Sequence, residues 1–261
     1  DAPEDTHEDF LKDISRPGTL KKAVLRTEHY LIMTNSSSGK LFAKKMEENY
    51  DEITEIFPYE EVEGRRLMPV FLFRTPQQYY DYYVKIAGTT QEAARASKGH
   101  AWRDYYATWS EAPGDPVRMH EGTHHFFGNR LILSGGGAWD QEGMAEYVET
   151  KPNDRNDIAR VVKNGEHTPL REFVALPSLL YSSEDDKRGG SKAGDHYKQA
   201  ALLVEFLRES KFGREKWSAY VAAMGRVRRG NVEAIEAVFR ALYGKGLEEM
   251  DGEFVEYCKK R

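Results

Sequence analysis

The chain has 261 residues, 39% of them hydrophobic, and a formal net charge of −5. That acidity excludes the basic face that non-specific nucleic-acid binding requires, and a mean hydropathy of −0.72 with no long apolar run excludes a membrane-spanning helix of ~18 residues. A single cysteine, Cys258, leaves neither an internal disulfide nor a cysteine-rich metal site.

Residues 1–20, with Pro3 and Pro17, are expected to form a loosely ordered N-terminal arm. Residues 21–261 are expected to form one catalytic domain, β-rich to about 115 and helical beyond, and the protein is expected to be a monomer. The chain begins at Asp1, as either a chain with a removed signal or an excised piece does, and on the first of these a secreted or periplasmic location is expected. His29–Thr34 reads as a strand. Phe42, Met46, Tyr50, Ile53 and Phe57 recur at helical spacing, and Pro58 stops the pattern. Leu67–Phe73 reads as a buried strand whose Pro69 demotes its first part to an edge. Thr75-Pro76 starts a second helix, and His100–Trp109 reads as one further strand. After Asp115-Pro116, helices are expected over 116–129, 139–150, 195–211, 214–225, 231–243 and 246–259. The polar stretch Ser182–Gly194 is read as a flexible lid or rim, and Arg226, Arg228 and Arg229 as a solvated turn. A β-rich front and a helical back define an α+β fold.

Chemistry concentrates in His120-Glu121-Gly122-Thr123-His124, an H-E-x-x-H pattern. Residues four apart share one face of a helix, so His120 and His124 present their imidazoles to one ion. Glu121 sits one step round, beside the ion without ligating it, where it takes a proton from bound water. With 8 His and 28 Glu, chance produces the pattern in roughly one such chain in forty. A third ligand is what makes it specific. His125 points about 100° away from His124, so it packs rather than binds.

A third histidine at 130 would continue the longest form of the motif, but Arg130 stands there and Phe127 replaces the glycine. A glutamate on the following helix is the other solution. Glu142 offers itself in W-D-Q-E-G-M-A-E-Y, with 142 − 124 − 1 = 17 residues intervening; Asp140 is the alternative in a rearranged site. Two imidazoles and a carboxylate leave a fourth position for water, which suits one Zn2+. Glu146, four after Glu142, is read as accepting the other N–H of a ligand imidazole, most simply that of His120. Trp139 and Tyr147 are read as core. His7, His29, His100 and His167 are isolated in sequence and expected to be solvent-exposed.

H-E-x-x-H followed by W-x-x-E-G-x-A-E-Y resembles the gluzincin branch of zincin metallopeptidases, and most nearly the bacterial peptidase-MA-like domains. The match covers 116–149. The resemblance implies a zincin-like fold with Glu142 as third zinc ligand and Glu121 as general base. It also implies an edge strand near 101–110 that aligns a peptide or protein substrate by backbone pairing. Relatives draw an oxyanion donor, Tyr or His, from the chain after the third ligand. Here Asp195-His196-Tyr197 opens a helix with Asp195 as its N-cap. Tyr197 is favoured over His196, since a phenol stays a neutral donor; in the alternative both only pack the helix. No G-x-M-E-N segment is present, because Lys45-Met46-Glu47-Glu48-Asn49 lacks the glycine, so endopeptidase action is the default. The expected function is a zinc-dependent metallopeptidase. Its rivals are a weak or inactive zinc-binding interaction module and a structural zinc domain, the latter disfavoured by three ligands and an adjacent base.

Overall fold

The structure, a computed structural model, describes residues 23–60, 64–102, 105–109, 115–133, 135–179 and 192–261. The expected arm over 1–20 and most of the expected loop over 182–194 lie outside these. The fold is mixed α and β, with one five-stranded sheet and a mostly helical remainder. Contacts divide the chain into two compact units, Asp1–Leu131 and Ile132–Arg261. Among the described residues no helix is long and apolar enough to cross a membrane.

The sheet belongs wholly to the first unit. Strands β1 (Ala23–Arg26), β2 (Tyr30–Thr34), β3 (Met68–Phe73), β4 (Gly99–Trp102) and β5 (Tyr105–Trp109) pair in the order β1-β2-β3-β5-β4. The inner three are parallel, and β1 and β4 run antiparallel at the edges. Period-2 alternation sorts the side chains between two faces. Met33, Phe71, Phe73, Tyr105 and Ala107 cluster with Tyr79 and Tyr82 of helix α2 (Pro76–Ala87). Tyr30 and Tyr106, pointing the other way, meet His125 of helix α4 (Val117–Phe126), and Tyr30 also meets Tyr50 of helix α1 (Gly39–Ile56). Each such large side chain taken from water contributes roughly 1.5–3 kcal/mol, so the aromatic content goes into gripping the sheet from both faces.

The sequence expectations for this unit change at two points. The stretch 100–109 is not one strand: His100↔Ala107 and Trp102↔Tyr105 pair antiparallel, so it folds back on itself as β4 and β5. The first part of β3 is an edge, as expected, with Pro69 beside Leu31 of β2 and, among the described residues, no strand on its other side. Its missing N–H is tolerated because β5 pairs with β3 only from Val70 onward. A short β1 and a helix α3 (Gln91–Ala96) were not anticipated.

The second unit is helical: α5 (Ala138–Glu149), α6 (Asn156–Lys163), α7 (Leu170–Phe173), α8 (Lys192–Glu209), α9 (Trp217–Met224), α10 (Val232–Tyr243) and α11 (Leu247–Lys260). Gly136 precedes α5 at φ +79, and a Cβ there would lie 2.4 Å from Asp140 Oδ2, so only glycine fits the turn. Helix α8 is buried from Ala200 to Leu207, as befits a central helix. Even Glu205 is buried there; its carboxylate binds Arg155 Nε at 2.7 Å, Arg261 Nε at 2.8 Å and the Tyr257 hydroxyl at 2.9 Å. A buried carboxylate survives when charge and hydrogen bonds both satisfy it. Helix α8 begins at Lys192, three residues before the expected start. Asp195 therefore lies in its first turn, not at the cap, and Lys192–Gly194 are helix rather than loop.

Candidate metal centre

Helix α4 starts where the Asp115-Pro116 signal places it. The Asp115 carboxylate accepts the Val117 N–H at 3.0 Å, satisfying one of the donors that a helix start leaves open. One side of α4 is fixed to the sheet. His125 is fully buried, with its ring against Tyr30 and Tyr106, so it packs as expected. After Phe126 the helix widens into a π-type turn, Phe127–Leu131. Arg65 donates to the Asn129 and Arg130 carbonyls there, at 2.9 Å each, while Arg130 donates to the Arg66 carbonyl and the Tyr50 hydroxyl.

With His125 pinned inward, the 3.6-residue repeat turns His120 and His124 to a partly exposed side. Their Nε2 atoms are 3.3 Å apart. Two nitrogens bound at about 2.0–2.1 Å in a tetrahedral zinc shell lie about 3.3–3.4 Å from each other. The pair is therefore spaced for one ion, and the donor chemistry fits zinc.

Glu121 is held from the side. Its Oε2 accepts the backbone N–H of Ala101 on edge strand β4 at 2.8 Å. This contact was invisible in the sequence, since nothing in a one-letter code reports which backbone N–H points out of a strand. The neighbour in β4, His100, is 9% exposed and not solvent-facing as expected. Its Nδ1 meets the Tyr79 hydroxyl at 3.0 Å, its Nε2 meets the Tyr105 hydroxyl at 3.3 Å, and Tyr83 stacks on its ring. Burial pulls the imidazole down to about 4, so it is neutral near pH 7. Burial likewise pushes the Tyr79 hydroxyl above the usual phenol range, and the charge of Glu121 adds to that push.

His29 and His167 also depart from the exposed reading. His29 Nδ1 lies 2.6 Å from Glu47 and its ring stacks on Tyr50. His167 pairs with Asp251 at 3.1 Å, its side chain 4% exposed. The partners are 18 and 84 positions away, beyond any local pattern. His7 lies outside the described residues. Glu47 also accepts the His29 N–H at 3.0 Å.

In the second unit, Glu142, Glu146 and Glu149 line helix α5 and are all partly exposed, with carboxylate oxygens of Glu146 and Glu149 within 4.8 Å. Asp140 is fully buried. Its Oδ1 accepts the Tyr220 hydroxyl at 2.6 Å, and burial pushes its carboxyl up to about 7, which makes it a core group. Trp139 is core as expected, its Nε1 donating to the Gly136 carbonyl; the Tyr147 hydroxyl accepts from Arg208. His196 is buried in a cavity of about 410 Å³ that also has Asp195, Gln199 and His167 in its wall, and its Nε2 lies 3.2 Å from the Thr168 hydroxyl. Tyr197 follows it in α8, partly exposed.

No family model and no curated protein matches the chain. Among solved structures, the crystal structure of an M1 zinc metallopeptidase from Deinococcus radiodurans is similar at 17% identity, with a TM-score of 0.44, over 90% of this chain. The match takes in 51% of that protein, so the chain spans about half its length.

Proposed function

We propose that this chain is a zinc-dependent metallopeptidase of zincin-like fold, acting as an endopeptidase. The observation that carries the reading is the geometry of helix α4: two imidazole nitrogens at tetrahedral-shell spacing, with a carboxylate one residue along fixed by an edge strand. His120 and His124 would hold the ion. Glu142 is assigned as third ligand from its 17-residue separation and its partly exposed place on α5. Zinc, when bound, supplies a Lewis acid that polarises the scissile carbonyl and brings coordinated water to a pKa of about 7.

The chain's own residues do the rest. Glu121, its Oε2 accepting the Ala101 N–H, is assigned to take the proton from the attacking water and pass it to the leaving amine. Strand β4, at the sheet edge, would pair with an extended peptide through backbone groups other than the Ala101 N–H, which holds Glu121. Glu146 would orient a ligand imidazole. Tyr197, or in its place His196, would donate to the oxyanion.

The test is cleavage of a mixed peptide library, read by mass spectrometry, alongside elemental analysis. Purified protein should carry about one zinc, lose cleavage on chelation and regain it with zinc. His120→Ala, His124→Ala and Glu142→Ala should each lose the metal. Full zinc occupancy in Glu142→Ala would remove that residue from the ligand set, and a metal-loaded protein that cleaves nothing would favour the rival interaction module.

A further inference from the structure

We propose that His100 and Tyr79 are positioning residues for Glu121, acting through edge strand β4. The proposal rests on the reading of Glu121 as general base and adds to it what holds that base in place. Strand β4 has four residues and one neighbour in the sheet, so backbone pairing alone restrains it weakly. Gly99 has no side chain to bury, Ala101 has one methyl and Trp102 is 37% exposed. His100 is the strand's one large buried side chain.

Its ring is held on three sides, by the Tyr79 hydroxyl at Nδ1, the Tyr105 hydroxyl at Nε2 and the face of Tyr83, whose centroid lies 4.3 Å away at 18°. The Tyr79 hydroxyl also meets Ser97 Oγ at 2.8 Å, and Ser97 Oγ donates to the Gly99 carbonyl at 2.7 Å. Tyr79 therefore grips the strand twice, through the His100 ring and through the backbone one residue earlier. The N–H that holds Glu121 belongs to the peptide unit joining His100 to Ala101. Any rotation about His100 ψ swings that N–H off the carboxylate. Holding the imidazole fixes the Cα and Cβ of His100, which narrows the range over which the next peptide plane can turn. That plane carries the N–H that orients Glu121. Supporting groups of this kind keep a reacting group within about 0.5 Å of its working position.

The experiment measures hydrogen exchange at the Ala101 amide in metal-free protein, with kcat and KM from the zinc-loaded protein on a cleaved library peptide. Glu121→Ala gives the exchange rate of the released amide. Tyr79→Phe and His100→Leu should each speed Ala101 exchange about tenfold toward that rate, while Val70 to Leu72 of β3 stay protected. The same variants should keep one zinc and lower kcat about tenfold, with KM nearly unchanged. His100→Asn, which returns a polar atom opposite the Tyr79 hydroxyl, should recover most of both losses. Unchanged Ala101 exchange in Tyr79→Phe, which deletes one oxygen and keeps the ring, would overturn the proposal, as would faster exchange with unchanged kcat. If the unsubstituted protein cleaves no peptide, the peptidase reading fails, and the exchange comparison still decides whether His100 and Tyr79 hold the Glu121 contact.

Discussion

Within six residues the motif helix sends three imidazoles in two directions, and one angular argument sorts them: His120 and His124 share a face while His125 turns into the sheet. That part of the site was legible because helical geometry is local. His100 was not, since its partners come from a preceding helix and across a hairpin. Its burial has a pH consequence. The folded protein holds His100 at about 4, below the 6.5 of an exposed imidazole, so the unfolded chain takes up the proton first. The contribution is whole above about pH 6.5, falls as pH drops toward about 4 and is flat below. The groups facing the ring, Tyr79, Tyr82, Tyr83 and Tyr105, are phenols that carry no charge in this window. Denaturation of the unsubstituted protein and of His100→Asn across that range should give a stability difference that changes by on the order of 3 kcal/mol. A difference independent of pH would place the imidazole in water.

At the scale of elements, periodicity located most helices to within a few residues, because apolar stripes and caps such as Thr75-Pro76 are written locally. The strands were harder. An aromatic run in 100–109 satisfies the strand pattern whether it runs straight or folds back, and only pairing with β3 and β5 tells the two apart. Pro69 was read correctly, since at its position β3 pairs with β2 alone and the strand gains its second neighbour only from Val70. The helix carrying Glu142 poses a sharper constraint. At Gly143 a Cβ would lie 2.9 Å from the Ala200 carbonyl oxygen of α8 and 3.0 Å from the Ala200 Cβ. Gly143→Ala should therefore destabilise the second unit, despite the better helix propensity of alanine, by about 1–3 kcal/mol of overpacking. Chemical denaturation monitored on this unit measures it. A gain in stability would mean that α5 and α8 separate freely.

For the whole molecule, the α+β composition could be read from the order of its patterns, whereas the division at Leu131 and Ile132 could not. That boundary depends on how densely each half contacts itself, a property of tertiary packing that no run of residues encodes. On the proposed reading, function at this scale depends on a division of labour: His120 and His124 would bind the ion, Glu121 would move a proton, and Glu142 would supply a further carboxylate ligand. The claim most exposed to test is the role of Glu121, because an interaction module or a structural metal site has no use for it. The deciding measurement compares cleavage of one mixed peptide library by the unsubstituted protein and by Glu121→Gln at equal zinc content. Glu121→Gln should keep its zinc, since the residue is no ligand, and cleave about 10²–10⁴-fold more slowly, since an amide cannot take the proton. Equal rates in the two zinc-loaded proteins would contradict the mechanism.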